Sequence, residues 1–452
     1  MGVAAQETPS LAVEVFDPGF LVGDSSYHAV TEASDGRVYF SIGTHQPLHS
    51  TQLFRFDPES EQTELVADLS AVVGIDPTRE VPHGKVHTPL IEHDGALYFA
   101  THTSTYVGTL PDVQPADGRT PYQGGHFMRL VLATGEVEAV AASGLPNEGI
   151  ITMAVDPASD LLYGLTWPSG ILLAYDLNTA QMHNWGAVQG RGEWGQLGED
   201  WDFICRSFGV DEQGLVYGST NTGRIWKLDH RADRPLQHYQ QLDLDAVPAV
   251  QSEAFTITDE VHFFWRNWRT ISWNPATESF WGIHGGSSQL FEFSPEQGTL
   301  RSVARLLPTG VEVGRRNPWR TQLGFHIGPD NTLYYLAHGP PQDVPGRPPV
   351  RASVHLLTYQ IDSGQLTDHG ILTSADGRRV FFTESLEVSE DGDLYTVAWV
   401  ETVDPERQRE VQTARGAVAP DETTDIIYEM QLVRLGVDSA GMAQVRDRLA
   451  QP

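Results

Sequence analysis

VHTPLIEHDGALYFATH, from Val86 to His102, holds two short apolar runs on either side of Asp94-Gly95, with an imidazole near each end. An Asp-Gly pair between such runs is a strong hairpin signal. The outline occurs seven times: Tyr27-His28 to Tyr39, Val86-His87 to Tyr98, Ile151 to Tyr163, Cys205-Arg206 to Tyr217, Trp268-Arg269 to Trp281, Gln322-Leu323 to Tyr334, and Thr383-Glu384 to Tyr395. The copies agree in shape but differ in chemistry at one position before the turn, which is mostly ionisable. A repeat of this period is one supersecondary unit copied many times.

Each hairpin is followed by a second one, from Leu53, Phe127, Leu172, Ile225, Leu290, Leu356 and Leu432. All alternate apolar and polar residues around turns of Asp, Pro, Gly, Asn or Ser. Four antiparallel strands per unit and seven units predict an all-β, seven-bladed β-propeller spanning 11–448. The blades cover approximately 20–70, 80–143, 147–190, 199–245, 260–307, 318–372 and 380–448. The extra strand 11–17 is expected to pair with blade seven, whose own fourth strand is weak, and so to close the ring. Long insertions, Thr103 to Gly125 and Val400 to Tyr428, read as lids or binding loops.

The 452 residues, 40% apolar and 10% aromatic, suffice for a large core. A formal charge of -31 makes nucleic acid a poor partner, because phosphate binding needs clustered Lys and Arg. Of the 29 basic residues only Lys85 and Lys227 are lysine, which suits a salt-adapted or high-GC source better than a particular function. No apolar run is long enough to span a membrane, and the start MGVAAQETPS lacks the regions of a secretory signal. The expectation is a soluble monomer, periplasmic or secreted if a signal was removed and otherwise cytoplasmic. The single cysteine, Cys205, alternates with Arg206 and is expected to be a buried structural thiol.

The first strand of a propeller blade lines the channel, and its start shares a mouth with the end of the second strand. Simple pairing sets His28 opposite Gly43, His87 opposite His102, Arg206 opposite Asn221, Leu323 opposite His338, and Glu384 opposite Trp399. In blades three and five Ile151 falls near Trp167 and Arg269 near His284 or Gly285. The mouth is thus predicted to carry His28, His87, His102, Arg206, Arg269, His338 and Glu384 beside Trp167, Asn221 and Trp399. A solvated rim without chemistry has no need of histidine and arginine in particular.

Arginine forks bind carboxylates, and histidines move protons near neutral pH. Together they suit β-elimination from a uronic acid: arginine neutralises the carboxylate, one group removes the C5 proton and another protonates the glycosidic oxygen. Tyr106 and Tyr122, in the blade-two insertion, are acid candidates. Trp265, Trp268, Trp319, Trp167 and Trp399 fall near this mouth, where indoles stack on sugars or wedge blades together. Arg206 and Arg269 have a second reading, as internal ion pairs with Asp202, Glu384 or Glu253.

Architecture and the stretch from Val86 to His102 resemble the seven-bladed propeller polysaccharide lyases, among them ulvan, oligogalacturonate and rhamnose-glucuronate lyases. The resemblance covers one blade beyond the architecture. It implies catalytic roles for His87 and His102, a uronate-neutralising role for Arg206 or Arg269, and an acidic polysaccharide or oligosaccharide as partner. It also implies a divalent metal, calcium, manganese or zinc, near the channel. His28, His87, His102 and His338 are the candidate ligands, although no close ligand spacing is present and no cofactor is required by the proposed chemistry. Two other classes remain open: a glycoside hydrolase using Glu384 with Asp202 or Glu199, and a non-catalytic glycan- or partner-binding propeller. Gly23-Asp24-Ser25-Ser26 reads as a turn entering blade one.

Overall fold

The computed structural model describes residues 9–104, 106–107, 110–111, 115–195, 199–220, 223–233, 235–243, 267–311, 322–350, 352–416 and 426–450. The fold is an all-β propeller. After the first strand, the strands fall in chain order into antiparallel units whose innermost strands begin at Val30, Lys85, Gly149, Gly209, Trp268, Phe325 and Val380. From blade two onward each inner strand touches the next, the blade-seven piece Glu387–Val388 touches Val30–Glu32 of blade one, and blades one and two meet through Val38–Ile42 and Lys85–Val86. The blades therefore form a closed circuit. Its spaces are filled by interblade aromatics, as where Tyr217 meets Phe280 and Phe293 with ring centroids 5.4 and 5.5 Å away.

Closure follows the expected route with an added feature. The strand Ser10–Phe16 pairs antiparallel with Tyr428–Leu435 through Glu14–Phe16, and parallel with the outer strand of blade six through residues 10–13. It is the fourth strand of blade seven and a staple to blade six. The segment expected to form the weak last strand is instead a helix, Ala440–Leu449. Ser439 caps it by accepting the Met442 N–H, and buried Met442 and Val445 lie on one face. The blade-seven insertion is also more ordered than a simple loop. It contains the helix Pro405–Arg415, whose Arg415 donates to the carbonyls of Leu21 and Gly23. The blade-two insertion contains a small hairpin, Tyr106–Val107 with Leu110–Pro111.

Strand register departs from simple pairing at the mouth. Lys85, not His87, lies opposite His102; Ser25, not His28, bridges to Gly43; and Phe382, not Glu384, lies opposite Trp399. Gly149 lies opposite Trp167, and Trp268 opposite His284. The reason is common to several blades. Ile151 and Arg269 are skipped by the ladder, His87 and Glu384 lie in breaks of their inner strands, and His28 has φ +50°. Hydroxyls patch the breaks: Thr88 Oγ1 accepts the Ala100 N–H at 2.9 Å, and Ser385 Oγ accepts the Val397 N–H at 3.1 Å. Bulges of this kind turn a side chain out of the ladder.

Candidate functional site

The irregular positions converge electrostatically. His87 is influenced by Arg206, His28, His102 and Arg269, and Tyr27 by Glu384, Asp24, Arg269 and Arg206, so residues from five blades share one low-dielectric region. The Tyr27 and His87 rings stack with centroids 4.4 Å apart, and the Lys85 ammonium sits 5.4 Å from the Tyr27 ring centre. His28 meets His87 edge-on at 6.3 Å.

His87 has a defined tautomer. Nδ1 lies 3.0 Å from the carbonyl oxygen of Ile151, which only accepts, so Nδ1 carries the proton and Nε2 carries the lone pair. Burial, then the neighbouring Arg206, holds the His87 pKa well below the usual imidazole range. His102 is likewise lowered, first by burial and then by Lys85. The His28 pKa is lowered to about 3 by burial and then by Arg269. These shifts favour the neutral form of all three imidazoles at pH 7. His102 is also enclosed, edge-on to Trp167 at 5.4 Å and packed where a Cβ on Gly149 would fall 1.8 Å from its Nδ1.

The arginines are held by internal carboxylates. Arg206 Nη1 is 2.8 Å from Glu193 Oε1, and the other Glu193 oxygen accepts Trp167 Nε1 at 2.6 Å. Arg269 donates to Glu384 Oε1 at 2.8 Å, while Glu384 Oε2 accepts the Leu323 N–H at 2.8 Å. The expected pairing of Arg269 with Glu384 thus occurs, whereas Arg206 selects Glu193, which the sequence reading did not consider. Arg269 Nε is buried with no acceptor among the described residues.

Lys85 is the cation the sequence reading passed over. It is 6% exposed, and burial lowers its pKa to about 8 against an opposing effect of Asp24. Its scarcity in an arginine-rich chain was the available signal. Near it Asp24 binds His45 through Nδ1 at 2.8 Å, a pair concealed in sequence by the turn reading of 23–26.

The other described candidates are tied to neighbouring groups. Tyr122 is 1% exposed and bonded through its hydroxyl to His83 Nδ1 at 3.0 Å. His338 Nε2 accepts the Thr383 N–H at 3.3 Å and its ring meets Phe382. Trp399 donates to Asp24 O at 2.9 Å and stacks on Tyr428 at 4.2 Å. Trp268 donates to Ser207 O, so the described tryptophans of the expected sugar platform are buried wedges with committed N–H groups. Asn221, Glu253, Trp265, Trp319 and the Tyr106 side chain lie outside the described residues. Cys205 is buried, with Sγ directed to Ser207 O at 2.7 Å, as expected of a structural thiol.

The histidines do not fit the implied metal site. Among the described residues no group of three or more His, Cys, Asp or Glu is gathered to hold an ion. His87 Nδ1 and His338 Nε2 are already bonded to backbone groups.

No family model and no curated protein matches this chain. Solved structures do. A streptogramin B lyase is similar at a TM-score of 0.50 and 10% identity, covering 85% of this chain and 94% of its own. A protein of Lactobacillus plantarum gives 0.50 and 11%, covering 87% and 95%. A 6-phosphogluconolactonase candidate of Bacteroides uniformis gives 0.49 and 12%, covering 82% and 93%. At these identities the two likenesses at 0.50 show the fold alone, a multi-bladed β-propeller, and the first of those two proteins is an enzyme. Among the described residues no helix is long and apolar enough to cross a membrane.

Proposed function

We propose that this chain is a propeller lyase that cleaves an acidic, uronate-containing glycan by β-elimination at the channel mouth. The observation that carries the reading is His87: its Nδ1 proton is fixed on Ile151 O, its pKa is held low, and Nε2 is left as the base among cations. In the proposed step Nε2 takes the proton from the carbon alpha to the substrate carboxylate. The C–H pair becomes the new C=C bond, and the C–O pair leaves on the glycosidic oxygen.

Lys85 and Arg269 are the groups proposed to meet the substrate carboxylate. Arg206 is already matched by Glu193, whereas Arg269 retains a buried Nε with no acceptor among the described residues, and the Lys85 ammonium lies 5.4 Å from the Tyr27 ring that stacks on His87. Desolvated cations at the carboxylate stabilise enolate-like charge. Burial with Arg206 and Arg269 keeps His87 neutral, and His102 is a positioning residue in this scheme. The two-carboxylate alternative is less well supported, because both Glu384 oxygens are committed to Arg269 and Leu323.

The test is absorbance near 235 nm on uronate oligosaccharides, which reports the unsaturated product. The parent protein should generate it, and His87→Gln should lower kcat at least about 100-fold with melting unchanged. Reducing ends without absorbance would indicate hydrolysis, and binding without either would indicate a lectin-like propeller.

A further inference from the structure

An imidazole held neutral can act as the base but has no readily released proton to lend a leaving oxygen. The donor has to recharge from solvent, and the pair Asp24–His45 has the geometry for it. Asp24 is 5% exposed, with Oδ1 2.8 Å from His45 Nδ1 and Oδ2 accepting the His45 backbone N–H at 3.0 Å. Its own backbone is pinned from two blades: its N–H donates to Gly43 O at 3.0 Å and its C=O accepts Trp399 Nε1 at 2.9 Å. Burial pushes the Asp24 carboxyl up, but the His45 hydrogen bonds outweigh this and hold it below the usual carboxylate range.

A fixed carboxylate on Nδ1 sets the ring's orientation and turns Nε2 away from Asp24. The His45 side chain is 41% exposed, whereas His87 and His102 are 7% and 1% exposed. It also belongs to the same electrostatic region, since His102 is influenced by His45 and Asp24 by Lys85.

We propose that His45 is the proton-returning group of this mouth and that Asp24 is its positioning residue. The inference rests on the elimination reading. As the C–O bond breaks, the protonated His45 ring gives its Nε2 proton to the departing oxygen. His87 keeps the proton taken from carbon, and exchange with water resets both rings, so atoms and electrons balance without a further reactant.

His45→Gln decides the matter, because this half-exposed side chain is replaceable without disturbing the core. Its kcat in the 235 nm assay should fall about 100-fold or more, with KM within threefold and with partial rescue by imidazole. Activity within threefold of the parent overturns the proposal. His87→Gln inactive beside a fully active His45→Gln would overturn it while leaving the elimination reading in place.

Asp24→Asn should lower kcat about tenfold or more with KM within threefold, and should move the His45 Nδ1–H proton resonance upfield as the charged acceptor is lost. The second readout needs no substrate. If the parent releases no unsaturated product, the elimination reading fails, and the dyad is judged on this resonance: a shift supports a coupled pair, and an unmoved His45 signal refutes it.

Discussion

Lys85 concentrates the conflict between stability and chemistry in one side chain. It is buried beside Tyr27 and opposite His102, and burial brings its pKa down to about 8. A base with a folded pKa below its unfolded value contributes stability that is present above the unfolded value and lost as pH falls through the folded one. Between about pH 8 and 10.4 the unfolded chain binds more protons, so stability rises with pH across that window. Lys85→Met should remove this rise and stabilise the protein at pH 7 by about 1–2 kcal/mol, while abolishing turnover. Urea unfolding at pH 7 and 9.5 checks both signs; a variant that is less stable at pH 7 would show that the ammonium is fully compensated. In sequence, the ionisable ring residues were legible because they recur at a fixed place in the repeat. Lys85 and His45 were not, because neither occupies that place, and only folding brings them to Tyr27 and Asp24.

At the level of the strand, the repeat was readable and the register was not. Period-two alternation and Asp-Gly turns specify hairpins, and the positive φ of Asp94 and Gly95 fits a two-residue turn of the expected type. A bulge leaves little mark in one sequence. Thr88 and Ser385 are ordinary strand residues until their hydroxyls replace a backbone acceptor at the break. Simple counting therefore put His87 opposite His102, a place that Lys85 occupies. The blade-three inner strand shows how tightly the break is packed. Gly149 faces His102 so closely that a Cβ would lie 1.8 Å from Nδ1, and the enclosed imidazole has little room to retreat. Gly149→Ala should cost about 2–3 kcal/mol by overpacking and lower activity by moving the strand that carries Ile151 O. Gly36→Ala, where nothing lies within 4 Å, controls for added bulk, though its φ of +75° adds local strain. Thermal melts with 235 nm rates separate the two effects, and unchanged rates in Gly149→Ala would mean that His87 does not depend on this strand.

The whole ring depends on how its ends meet. Ser10–Phe16 touches two blades at once, hydrogen-bonding to blade six through residues 10–13 and to blade seven through Glu14–Phe16. Leu11 and Val13 are 0% and 1% exposed and enter a core with Leu336, Leu356 and Leu372 of blade six and with Val388, Leu394 and Val433 of blade seven. Arg434 extends the clasp to blade one. Its Nε donates to Glu14 Oε2 at 2.8 Å, its Nη2 donates to Glu61 Oε1 at 2.5 Å, and its guanidinium lies over Phe16. The surface ion pairs contribute little on their own, so buried Leu11 and Val13 are the main contributors to closure. Leu11→Ala should cost about 2–4 kcal/mol, and Glu14→Gln less than about 1 kcal/mol. Because Glu384 and Trp399 belong to blade seven and Asp24 hangs from Trp399, a loosened closure reaches the mouth before it unfolds the far blades. Hydrogen exchange of Leu11→Ala should therefore show early opening in blades six, seven and one, with loss of the His45 Nδ1–H signal. Uniform exchange across all blades would instead mean that the ring opens as one cooperative unit and that the N-terminal strand contributes only its buried area.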